Sequence, residues 1–180
     1  MKLANGLISL FLCLAVSLSA HAAIDSPKHA FKKSYDQMLE ELPNVRSQLT
    51  ETDTDGLKRW GGTVPVGSAA SIVQISGKGK DAITGLTVML LSNDSTSVSD
   101  YRNAEALRDV LFQSLVGRGA AFDLVNDFFV QELDRQQPII RAGGKPKAGI
   151  KKIGKGTSQV SLELVSTPKG MMAIYSMKLL

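Results

Sequence analysis

The chain has 180 residues, with 21 Lys and Arg against 17 Asp and Glu, two histidines and one cysteine. That length suits a single domain with a sizeable core. A net charge of +4 is too small by itself to point to nucleic acid or a membrane surface, and one cysteine excludes an internal disulfide.

Met1-Lys2 supplies a short positive start, and the apolar run Leu7 to Leu18 follows it. The run is shorter than the roughly 20 residues that a membrane-crossing helix needs. Ala20 and Ala22 place small side chains three residues and one residue before a cut. Residues 1–22 are therefore expected to be a cleaved signal peptide, and 23–180 a single periplasmic or secreted domain. Cys13 lies inside the apolar run behind Phe11 and Leu12, where a lipoprotein signal would place a small residue. It is read as part of the leader. The mature chain then lacks cysteine, which excludes thiolate zinc sites and thiol nucleophiles. Cleavage removes one lysine and no acid, so the net charge falls from +4 to +3. No later stretch is apolar enough for a membrane span.

Ser26-Pro27 suits a helix start. Phe31, Tyr35, Met38 and Leu42 then recur on one helical face, which predicts a helix over about 28–42, ended by Pro43. Residues 44–70 show no sustained period and carry Asp55-Gly56, Gly61-Gly62, Pro65 and Gly67, so a long connection is expected, with at most a short strand near Thr63 to Val66. Ile72 to Ile75 and Ile83 to Leu91 read as two strands joined by a turn at Gly77 to Asp81, a hairpin over about 71–91. Leu107, Val110, Leu111 and Leu115 mark a helix over about 101–116, capped at Ser99 or Asp100 and stopped by Gly117 and Gly119. Phe122, Val125, Phe129 and Leu133 mark another over about 120–135, closed by Pro138. Arg141 to Gly156 holds six basic residues, five glycines and no acid, and reads as an exposed loop. A second hairpin, about 159–179, alternates Val160, Leu162 and Leu164, turns at Thr167 to Gly170, and continues through Ala173, Tyr175, Met177 and Leu179. The expected fold is α+β: an antiparallel sheet built from two hairpins, one face packed against helices and the other solvated.

Histidine is the usual general base near neutral pH, and the mature chain holds only His29, beside Lys28, Lys32 and Lys33. There is no HExxH, GxSxG or GxxxxGK[ST] pattern. No cofactor or metal site is expected. Glu51, Asp53 and Asp55 precede Gly56 as in the first half of a calcium loop, but Arg59 and Gly62 stand where its later ligands belong. Two surface features are candidates for binding. One is Trp60, in the presumed loop beside Lys58 and Arg59. The other is the basic stretch of Arg141, Lys145, Lys147, Lys151, Lys152 and Lys155, suited to an anionic envelope polymer or an envelope protein. Nucleic acid is not expected, since exported proteins do not meet it and no aromatics interleave with the lysines. The expectation is a non-enzymatic exported binding or interaction protein, such as an inhibitor, immunity or envelope accessory factor. Two alternatives stand beside it. A carboxylate-only envelope hydrolase would use acids such as Glu132 and Glu163. A carrier of small apolar ligands would line a pocket with Met89, Met171, Met172 and Met177.

Overall fold

A computed structural model describes residues 33–154, 157–168 and 170–180. The expected signal peptide, His29, the first part of the expected N-terminal helix, and Lys155 lie outside the described residues. The described chain runs through two short helical turns, α1 (Tyr35–Met38) and α2 (Pro43–Arg46), into strands β1 (Thr50–Thr54), β2 (Leu57–Val66), β3 (Ala69–Gly77) and β4 (Ile83–Ser92). Two long helices follow, α3 (Val98–Val116) and α4 (Ala120–Arg141). Strands β5 (Gly149–Ile153), β6 (Ser158–Thr167) and β7 (Gly170–Leu179) complete it. All seven strands form one open antiparallel sheet in the order β1-β2-β3-β4-β7-β6-β5. The last three strands start at the far edge and return to the centre, where β7 pairs with β4 from Gly85↔Lys178 to Ser92↔Met171.

Period-two patterning explains the two layers. Val73 and Ile75 on β3, Leu86, Val88 and Leu90 on β4, Tyr175 and Met177 on β7, and Val160, Leu162 and Leu164 on β6 are all buried on the helix side. Helices α3 and α4 lay Leu111, Phe112, Leu115, Val125, Phe128 and Phe129 over them. Phe129 meets Phe112 and Tyr175 edge to face, with ring centroids 5.1 and 5.0 Å apart. The two-layer α+β arrangement and both expected hairpins are present.

Four segments differ from expectation. Residues 44–70 are not a long connection. They hold α2, β1 and β2, and Asp55 (φ 53) and Gly56 (φ 77) form the two-residue turn of a tight hairpin. Both turn residues need positive φ, which Asp-Gly supplies. Pro43 begins α2 at its first helical position rather than only ending a longer helix. The N-terminal helix shrinks to α1 within the described residues, held by a capping box in which Ser34 and Gln37 exchange side-chain to backbone hydrogen bonds. Helix α4 passes through Pro138 and reaches Arg141. Proline removes one helical donor and frees the Asp134 carbonyl, and both residues are exposed, so water can satisfy it. The helix stops instead where Gly143 takes φ 78, with Gly143 N–H and Gly144 N–H donating to the Ile140 and Ile139 carbonyls. The fourth segment is the basic stretch.

Candidate functional site

The basic stretch is mostly structured. Its first residue, Arg141, ends α4, Lys145 and Lys147 lie in the connection, and Lys151 and Lys152 lie on β5. All five side chains are exposed; Lys145 lies beside Val165 and Ser166 near the end of α4, while Lys151 and Lys152 sit further along the edge, opposite Val160 and Gln159, and alternate between the two faces of the sheet. The correction from loop to strand has a physical cause. Ile150 and Ile153 favour extended backbone, and β6 offers an open edge to pair with. The glycine content, read as a loop signal, has a packing role at Gly149. A Cβ there would lie 2.1 Å from the Glu132 carboxylate, so a larger residue would push that carboxylate away from Arg135 and Gln136.

A polar cluster on α4 holds this flank in place. Strand β5 ends its pairing at Gly149↔Leu162, while β6 runs on to Thr167. Past that point Gln136, fully buried, takes the place of a neighbouring strand. Its amide nitrogen donates to the Leu162 carbonyl at 3.0 Å, and its amide oxygen accepts from the Leu164 N–H at 2.9 Å. The same nitrogen donates to Glu132 at 3.0 Å. Arg135 donates to Glu132 through Nε (2.9 Å) and Nη2 (2.6 Å), and to the Lys147 carbonyl at 2.7 Å. Hydrogen bonds from Arg135, and less strongly from Gln136, hold the Glu132 carboxyl below its ordinary range against a smaller desolvation effect. The connection carrying Lys145 and Lys147 is thus fastened at Lys147. Beside it Ile140, Lys145, Pro146, Val165 and Ser166 line a surface hollow of about 260 Å³ along the exposed part of the β6 edge.

The other sequence candidates go elsewhere. Trp60 is in β2, not a loop, and is 2% exposed. Its ring packs against Tyr35 at 4.7 Å between centroids, and its Nε1–H donates to Glu51 at 2.8 Å. A side chain so placed anchors the N-terminal segment to the sheet and presents no stacking surface to a partner. Glu51 also accepts from Lys58 at 2.5 Å, and Asp53 accepts from the Gly56 N–H at 3.1 Å, so the acids of the calcium-like run serve the β1–β2 hairpin. Among the described residues no group of three His, Cys, Asp or Glu side chains is placed to hold a metal ion. Glu163 points to the open face of the sheet while Glu132 sits on the helix side, so the sheet separates them. The four methionines are divided as well. Met177 is buried under the helices, and Met89 and Met172 are on the open face. They do not line one pocket.

A second buried polar group lies between α3 and the sheet. Arg108 is 6% exposed, donates to Asp109 through Nε and Nη2, and stacks over the Tyr175 ring at 4.6 Å. It meets the ring face, and the buried Tyr175 hydroxyl has no hydrogen-bond partner among the described residues. Burial pushes the Tyr175 hydroxyl strongly upward, with Arg108 opposing, so it stays protonated and is no nucleophile. The cluster is read as core. No helix among the described residues is long and apolar enough to cross a membrane. Comparisons with family models, with curated proteins and with solved structures find no match to this chain.

Sequence reasoning found the lysines and named Glu132 only among acids a hydrolase would use, but missed Arg135 and Gln136, which with Glu132 hold the connection at Lys147. A weak signal was present, since the stripe Val125, Phe129, Leu133 continues in step at Gln136 and Ile140.

Proposed function

We propose that this is an exported, non-enzymatic interaction protein that takes an extended acidic segment of an envelope protein against its basic sheet edge. The observation that carries the reading is β5. It is an edge strand that carries Lys151 and Lys152 and is preceded by Arg141, Lys145 and Lys147, in a stretch without a single acid. An edge strand presents backbone N–H and C=O groups that another polypeptide can pair with, whereas a lipid headgroup or a teichoic-type polymer cannot complete a ladder. Export rests on the leader sequence of residues 1–22.

Lysine on a sheet edge also discourages self-pairing, because two basic edges repel. Here that repulsion sharpens the choice of partner: a second β5 is excluded and an acidic strand is admitted. Exposed Ile150 and the hollow at Ile140 and Val165 would receive apolar side chains between the acids. The carboxylate-only hydrolase gains nothing from Glu132 and Glu163, which face opposite sides of the sheet.

The test is binding of a labelled extended peptide that alternates Glu with Val or Ile, followed by fluorescence anisotropy. Binding should weaken as salt rises, and Lys151→Glu with Lys152→Glu should cost about tenfold or more in affinity. A pull-down from envelope extract should recover an acidic protein with the native chain and lose it with that variant. Binding to anionic phospholipid vesicles at the same lysines, without binding to the peptide, would overturn the choice of partner.

A further inference from the structure

Among the described residues the helices cover only one face of the sheet, and the composition of the other face is not that of an ordinary solvated surface. Across it the register aligns four rows. The first runs Pro65, Ala70, Leu91, Met172, Val165, and the second Thr63, Ile72, Met89, Ile174, Glu163. The third runs Gly61, Gln74, Thr87, Ser176, Ser161, and the fourth Arg59, Ser76, Gly85, Lys178, Gln159. Two rows are mainly apolar and two carry hydroxyls and amides. Charge is confined to the margin, at Arg59, Glu163, Lys178 and, on β5, Lys152, and the central side chains are half-buried. An uncharged, methionine-bearing centre with a charged rim is the composition of a protein interface core.

We infer that the open face packs against the same face of a second copy, giving a two-fold β-sandwich dimer. Self-complementarity selects this occupant. A two-fold axis parallel to the strands and over β4 leaves each row opposite itself. Met89 then meets Met89, Leu91 meets Leu91, and Ile72 meets Ile174 of the other copy. Gln74 meets Ser176, groups that both donate and accept. Arg59 falls opposite Gln159, Lys152 opposite Thr52 and Glu163 opposite Thr63, so no like charges stand directly opposite one another. Lys178 falls opposite Ser76, beside Gly85, whose missing side chain lies within a hollow of about 320 Å³. The area agrees with the need. Five strands about 4.8 Å apart and about ten residues long cover roughly 800 Å². A stable interface takes about that much from each partner. Aligned sheets pack in this way at about 10 Å separation.

Sedimentation equilibrium of the purified protein from low to high micromolar concentration tests this. A dimer is expected, and Met89→Glu, which sets two carboxylates across the axis, should halve the mass. Because position 89 is half-exposed, the variant should keep the native circular dichroism spectrum. Ile174→Lys is the second variant, with the same expected halving, should Met89→Glu fold poorly. Lys151→Glu, on the helix side of β5, should leave the dimer intact, which separates this surface from the basic edge. A native chain that is monomeric throughout overturns the inference. So does a dimer that survives both face variants. A monomer whose open face is protected from hydrogen exchange until residues 23–32 are removed would assign the face to that segment instead.

Discussion

Gln136 shows how one side chain can stand in for a strand. Its amide presents one donor and one acceptor, as a peptide group does, and it meets β6 where β5 is no longer there to do so. Gln136→Leu keeps the volume but orphans the Leu164 N–H and removes a donor from the Leu162 carbonyl, which still faces Gly149 on β5. A buried unpaired group costs about 1–3 kcal/mol, so a loss of that size is expected in urea unfolding. A loss below about 1 kcal/mol would mean that water replaces the amide there. Asp100 does a comparable job at a turn. Its carboxylate accepts from the Ser68 N–H at 2.9 Å and the Ser68 hydroxyl at 2.6 Å, tying the β2–β3 turn to the start of α3. Gly67, at φ 59, leaves room for it, since a Cβ would lie 2.1 Å from Oδ1. The Ser68 bonds, with Ser97 behind them, hold the Asp100 carboxyl below its usual value. A depressed folded pKa gives stability that is present above the unfolded value near 4 and is lost as pH falls through the folded one. Asp100→Asn should therefore lower the urea midpoint at pH 7, and the gap from the native chain should narrow as pH falls below the ordinary carboxylate range. A gap that persists in acid would show that charge is not what the turn uses.

At the scale of elements, the β1–β2 hairpin is the instructive case. Its turn is Asp55-Gly56, the strongest short signal for a two-residue hairpin, yet the polar strand before it, TETDT, reads as loop. All five residues of β1 are exposed, so no apolar alternation marks it. In β2 the alternation is broken by Gly61 and Gly62. Gly62 is explained by packing: a Cβ there would sit 2.0 Å from the Gln48 carbonyl oxygen, where the link from α2 to β1 crosses β2. Gly62→Ala should cost about 1–3 kcal/mol as an overpacking change, read as a lower thermal midpoint and altered Trp60 fluorescence. An unchanged midpoint would show that the crossing link moves freely. Helix α4 teaches the reverse lesson. Pro138 is a strong stop signal, but the stripe continues to Ile140, and packing on β6 outweighs one lost hydrogen bond.

Over the whole molecule, the β4–β7 pair joins two separate meanders, β1 to β4 and β5 to β7. The central strands bury Val88, Leu90 and Tyr175 almost completely, while β1 is exposed along its length and β5 at Ile150 to Lys152. Amide hydrogen exchange should accordingly be slowest in β4 and β7 and fastest in β1 and β5. Equal protection at edge and centre would mean that the sheet opens only as one unit. With a single cysteine, at position 13, no internal disulfide contributes, so the melting temperature should be the same with and without reductant.

The sequence by itself determined what repeats locally. Strict alternation in Val160 to Leu164 and Ala173 to Leu179, and four-residue steps in Val125 to Leu133, state which faces are apolar. They therefore specify an antiparallel sheet under helices. The same reading located the lysines, because charge is a property of composition. Tertiary structure alone decided the edges. Strands β1 and β5 have little apolar pattern and exist because a neighbouring strand offers them a ladder. Trp60, a binding candidate in a loop by the sequence reading, is a strand residue buried under Tyr35, which arrives from far along the chain to cover it. Gln136 becomes a strand substitute only once α4 lies across β6. Backbone pairing and long-range packing depend on which segments meet in space, and no local period records that.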